Sequence, residues 1–113
     1  MLADDPNHPI PSVANADVIA SRTGGGAELV VVIASPLDAD ERSQQRLLAK
    51  FDSYLGFIHS DEFRQEFGAP SADQVLIRVI INPESHPAIL DLLERCRPWI
   101  EENGASYEIN RSY

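Results

Sequence analysis

The sequence predicts an α+β domain of ββαβαβ connectivity: a four-stranded mixed sheet with two long helices on one face. Three observations carry that expectation. Strand-like text leads into amphipathic helical text twice, at Leu29-Val30-Val31-Val32-Ile33 and at Val75-Leu76-Ile77-Arg78-Val79-Ile80-Ile81. A glycine-rich stretch, Thr23-Gly24-Gly25-Gly26, precedes the first of these runs and suits a hairpin turn. The chain then closes on a short alternating segment, Tyr107-Glu108-Ile109. Strand–helix–strand crossovers are overwhelmingly right-handed, so steps in one direction across the sheet put both helices on one face. The expected strand order is 1-2-3-4, with the first strand antiparallel in its hairpin.

Each element has a local reason. Residues 1–14 place Pro6, Pro9 and Pro11 among Asn, His, Asp and Ser, and read as a disordered tail before a single domain over 15–113. Asp17 to Ser21 suits a first strand, and Ser35-Pro36 ends the second. Asp38 and Glu41 have capping-box spacing, with an acid in place of the usual Ser or Thr. Leu47, Leu48, Phe51, Tyr54, Leu55 and Ile58 then recur at helical spacing, and Gly56 inside them marks a close contact or a weak point. Ser60-Asp61-Glu62 opens a short helix that Phe63 and Phe67 pin and Gly68 with Pro70 stops.

The strand from Val75 to Ile81 is apolar on both faces except at Arg78, and Asn82-Pro83 ends it. Ser85 as cap and Pro87 in the first turn start the last helix. Its stripe is Ile89, Leu92, Leu93, Cys96, Trp99 and Ile100, with a kink expected at Pro98. Asn103-Gly104 stops it, and Ser106 to Asn110 is the final strand.

Composition excludes several roles. The chain carries 18 Asp and Glu against 9 Lys and Arg, a formal charge of −9. Nucleic-acid binding draws on clustered positive charge, and an anionic membrane surface would repel this balance. A basic protein partner would be attracted. No apolar run approaches the roughly 18 to 20 residues of a membrane span. The acidic start Met1-Leu2-Ala3-Asp4-Asp5 does not suit a secretory signal, and Cys96 is the lone cysteine, so a cytoplasmic setting is expected.

No motif names a reaction. Gly24 to Gly26 precede a strand rather than opening a helix, as a phosphate loop would require. His59, Asp61, Glu62 and Glu66 are metal-capable but offer too few His or Cys, and His8 and His86 lie elsewhere. No catalytic residue, metal ligand or cofactor is assigned. Cys96 falls in phase with the apolar stripe and reads as buried, although Arg95 and Arg97 flank it. Arg42, Arg46 and Lys50 recur every four residues and read as a solvated basic face, with an anion or acidic-partner contact as the alternative.

Strand parity singles out one surface. If Val75, Ile77, Val79 and Ile81 pack under the helices, Leu76, Arg78 and Ile80 face away from them. Glu108 is placed to pair with Arg78 across the strands. The expectation is self-association or protein docking through this face, centred on Leu76, Arg78, Ile80 and Glu108. The alternative is that the tail or the short helix from Ser60 folds over it.

The stretches Asn15-Ala16-Asp17-Val18-Ile19, Tyr54-Leu55-Gly56-Phe57-Ile58 and Val75-Leu76-Ile77-Arg78-Val79 resemble a bacterial family of small acidic α/β proteins catalogued as a domain of unknown function. The resemblance spans residues 15 to 110 and rests mostly on core apolar positions. Its first segment usually reads Asn-Pro-Asp-Val-Ile, where this chain has Ala16. It assigns no site residues, and it implies a partner role of immunity type. Two classes therefore stand side by side: an interaction protein, and a small ligand-binding domain or enzyme whose site is assembled from scattered residues.

Overall fold

The computed structural model describes residues 3–13, 17–22 and 25–111. Strands β1 (Val18–Ser21), β2 (Ala27–Ile33), β3 (Val75–Ile81) and β4 (Ser106–Asn110) form one sheet in the order β1-β2-β3-β4. β1 runs antiparallel to β2, while β2, β3 and β4 are mutually parallel. The α+β expectation holds in connectivity, order and direction. Between β2 and β3 come helices α1 (Glu41–Ile58) and α2 (Asp61–Phe67), and between β3 and β4 come α3 (Pro87–Arg95) and α4 (Arg97–Glu102). Among the described residues, no helix is long and apolar enough to cross a membrane.

Alternation within the strands fixes where the core lies. Ala27, Leu29, Val31 and Ile33 of β2 and Val75, Ile77, Val79 and Ile81 of β3 are buried under the helices. They meet Leu47, Phe51, Tyr54, Leu55 and Ile58 of α1, Phe63 of α2, and Ile89, Leu93, Cys96 and Ile100 of α3 and α4. The Tyr54 hydroxyl locks α1 to the sheet margin: it donates to the Val30 carbonyl at 2.8 Å and accepts the Asp17 N–H at 2.9 Å.

Helix ends depart from the sequence reading in two places. Asp40, not Asp38, caps α1, because its carboxylate accepts the Ser43 N–H at 2.8 Å. His86, not Ser85, caps α3, its Nδ1 accepting the Ala88 N–H at 3.0 Å. The Ser85 hydroxyl instead accepts the Leu37 N–H at 3.0 Å, tying the loops after β3 and β2 together. At Pro98 the missing N–H does more than kink the helix: it splits at Cys96 into α3 and α4. Gly68 ends α2 at φ 73°, a positive value that suits glycine. Gly56 touches nothing that a methyl group would displace, so it is a weak point rather than a packing contact.

The turn expected at Thr23 to Gly26 lies partly outside the described residues, as do Ala14, Asn15 and Ala16. Gly26 is described, and its backbone lies so close to the Gln74 carbonyl that a Cβ would sit 1.9 Å from the oxygen. Residues 3–13, expected as part of a tail, lie against the body of the fold. Ile10 and Val13 are 1% and 2% exposed and belong to the core. The reason is on α1, whose Arg42, Arg46 and Lys50 supply this segment with hydrogen-bond donors.

Candidate functional site

Opposite the helices, the sheet presents the face that strand parity predicts. Register places Glu28, Val30 and Val32 of β2 beside Leu76, Arg78 and Ile80 of β3, and those beside Ser106, Glu108 and Asn110 of β4. Val18 on β1 extends the surface and is 48% exposed. The N-terminal segment docks on α1, and α2 packs through Phe63 into the core, so neither covers this face. Leu76, Val32 and Ile80 are partly exposed.

Arg78 crosses the middle of the surface. Its Nη2 reaches Glu28 Oε1 at 2.9 Å and Glu108 Oε2 at 3.3 Å, so one nitrogen serves two carboxylates on two strands. Sequence parity identifies Glu108 as a partner and misses Glu28. The signal for the second lies in β2, where Glu28 shares the parity of Val30 and Val32 once the strand is extended back to Ala27. The row Glu28–Arg78–Glu108 carries a net charge of −1. Half-exposed pairs of this kind contribute about 0 to 1 kcal/mol each, so they do little to hold the sheet. Arg78 Nε is buried without an acceptor among the described residues, a further sign that stability does not explain this arginine.

Of the row Arg42, Arg46 and Lys50, Arg42 is solvated as expected, whereas Arg46 and Lys50 are not. Arg46 is 2% exposed and Lys50 1%. Arg46 donates to three main-chain carbonyls, through Nε to Ile10 at 2.9 Å, Nη1 to Ala3 at 2.8 Å and Nη2 to Pro11 at 3.1 Å. Lys50 Nζ donates to the Ser12 carbonyl at 2.7 Å and to Asp17 Oδ1 at 2.6 Å. Arg42 pairs with Asp5. Spacing of one helical turn thus serves a clamp on the N-terminal segment, and the acidic-partner alternative for this row is withdrawn. Asp17 also holds the sheet margin. Its Oδ2 accepts the Val32 N–H at 2.8 Å, where β1 has already ended beside β2.

A histidine, a serine and an aspartate meet at the start of this clamp, but in the wrong order for a nucleophile. His8 Nε2 lies 3.1 Å from Ser43 Oγ, and Ser43 bonds Asp40 through its hydroxyl and its N–H. An activating triad needs the imidazole between serine and carboxylate. Here buried Ser43 stands in the middle and serves the helix cap.

A cleft of about 210 Å3 opens where β3 and β4 begin, floored by Ile58, Phe63 and Val75. It is smaller than the roughly 300–1,000 Å3 of ligand pockets. Its polar rim is engaged: His59 Nε2 lies 2.8 Å from the Asn103 carbonyl, and Arg64 pairs with Asp61 at 3.2 Å. Open α/β sheets bind ligands beyond the carboxyl ends of their strands, the opposite end from this cleft. At that end the loops close on each other, with Asn82 N–H on the Ile33 carbonyl and Asn82 Nδ2 on the Ala34 carbonyl, both at 2.9 Å.

Among the described residues, no three His, Cys, Asp or Glu side chains converge as metal ligands. Cys96 is buried, and burial pushes its thiol pKa up, with Arg95 only partly opposing. Comparison with family models, curated proteins and solved structures finds no match to this chain.

Proposed function

We propose that this chain is a protein-interaction module, that it docks through the open face of its sheet, and that its partner is basic. The observation that carries the reading is the composition of that face: Val18, Val32, Leu76 and Ile80 around the net-acidic row Glu28–Arg78–Glu108. Interaction surfaces combine aliphatic anchors with arginine and a polar rim. Two carboxylates sharing one guanidinium leave acceptor capacity for an incoming Lys or Arg. The overall charge of −9 disfavours a second copy of the chain and accelerates encounter with a cationic partner. An immunity-type role, which the family resemblance implies, fits this chemistry, as does the cytoplasmic setting expected from the lone cysteine and the acidic start.

The test is co-purification from the native host, comparing the natural chain with Ile80→Asp and Glu108→Arg. A basic protein held by the natural chain and by a Leu48→Asp control on exposed α1 surface, but lost from both face variants, supports the reading. Light scattering on the same samples separates self-association, and circular dichroism confirms folding. Equal retention by folded face variants refutes it.

A further inference from the structure

We propose that residues 3–13 form a strap over α1 that lets go when His8 takes up a proton. The strap has two kinds of hold. Ile10 and Val13 fill apolar sockets, while Arg42, Arg46 and Lys50 bind Asp5 and the carbonyls of Ala3, Ile10, Pro11 and Ser12. His8 sits between them, and its geometry requires the neutral ring. Its Nδ1 accepts the Ile10 N–H at 2.9 Å, so Nδ1 carries no hydrogen and Nε2–H donates to Ser43 Oγ. A proton on Nδ1 would aim N–H against N–H and detach the residue that seats the main apolar anchor.

Every charged group around the ring bears on the same event. From α1 come Arg46 and Arg42, both cations; from the α1 cap comes Asp40; from the strap itself comes Asp5. Desolvation, then Arg46, then Arg42 hold the imidazole below its ordinary 6.5, and Asp40 and Asp5 oppose them without reversing the result. The sign follows. Released, His8 titrates near 6.5; docked, it titrates lower; between those values only the released strap binds the proton, so acid favours release. Well above 6.5 both states are neutral and docking no longer depends on this proton.

Asp5 and Asp40 do not confuse the window. The Asn7 N–H on Asp5 and the Ser43 donors on Asp40 hold both carboxyls below 3.8, so they stay ionised at pH 5. Release changes what the surface offers. Arg46 and Lys50 become accessible beside the empty sockets of Ile10 and Val13, and an acidic protein acquires a basic, apolar groove.

Hydrogen exchange at pH 7.5 and pH 5.0, expressed as protection factors, tests this on the full chain and on His8→Asn. Asparagine keeps an acceptor for the N–H two residues on but does not titrate. In the natural chain, protection at Asp5 and Ile10, whose N–H groups bond the Pro11 carbonyl and His8 Nδ1, should fall by about tenfold for each pH unit between 6.5 and the docked value, while Ile77 and Val79 in β3 keep theirs. In His8→Asn the strap should keep its protection at pH 5. Undiminished protection of the natural strap at pH 5 overturns the proposal. So does equal loss in both chains, which would place the trigger elsewhere, and so does loss in β3 together with the strap, which would be global unfolding.

Discussion

Removing the Asp17 carboxylate should destabilise this fold more than any other single change to an acidic residue. Asp17→Ala takes the charged partner from Lys50, an ammonium that is 1% exposed and left with the Ser12 carbonyl among its acceptors. Stripping one partner from a fully buried ion pair costs about 3–5 kcal/mol. Asp17 is 25% exposed, so water reaches the site and a smaller loss, about 2 kcal/mol, applies. The Val32 N–H also loses its acceptor at the sheet margin, which adds about 1 kcal/mol. The sum of about 3 kcal/mol should lower Tm by about 12 °C in a domain of this size. Asp17→Asn keeps an acceptor for Val32 and should lose about 2 kcal/mol. Thermal and urea unfolding of the natural chain, Asp17→Ala, Lys50→Met and the double variant would give the coupling directly. A loss under about 1 kcal/mol, or additive single losses, would show that carbonyls alone hold Lys50.

Other consequences are as specific. Gly26→Ala places a Cβ 1.9 Å from the Gln74 carbonyl at φ 94°, and should cost at least about 2 kcal/mol in urea unfolding. Lys50 is the one lysine of the chain, so an amine-reactive ester at pH 8 should spare it in the native protein and label it in denaturant, as peptide mass mapping will report. Cys96 should resist a thiol reagent in the native state and react at once in denaturant, because burial raises its pKa and blocks access. Tyr54→Phe removes a hydroxyl bonded to both Val30 and Asp17, and should cost about 1–2 kcal/mol by the same unfolding assay.

Strand parity makes much of this fold legible. Val75 to Ile81 alternates in burial along its whole length, and that alternation locates Leu76, Arg78 and Ile80 from sequence alone. The cross-strand neighbour Glu108 follows from the same rule, whereas Glu28 escapes it because β2 starts two residues earlier than its aliphatic run suggests. The strap is illegible for a different reason. Its order comes from carbonyls accepting bonds from Arg46 and Lys50, and a carbonyl carries no residue signature. Proline-rich polar text with isolated Ile10 and Val13 therefore reads as disorder, although both side chains are buried. One cue is present: Arg46 and Lys50 lie one turn apart beside Leu47 and Phe51, on the inward side of α1 rather than opposite it. The cap assignments fail by one or two residues, because Asp38, Asp40, Ser85 and His86 are all capable caps and tertiary contacts choose among them.

The clamp and the open face together sharpen what kind of partner the surface suits. All nine Lys and Arg side chains already have acceptors within the chain. Two of them, Arg46 and Lys50, are withdrawn from the surface altogether. They donate to the strap carbonyls and to Asp17 rather than to anything approaching from solvent. The 18 carboxylates are distributed differently, since Glu41, Asp52, Glu62, Glu66, Glu101 and Glu102 stand exposed on the helices. The net charge of −9 sets the field at long range, and these exposed carboxylates set its sign close to the helix surfaces. On the sheet side, the same asymmetry survives in the row of two glutamates to one arginine. A cationic protein would meet attraction at long range and aliphatic side chains at contact, whereas an anionic one would meet no free basic patch among the described residues while residues 3–13 are docked.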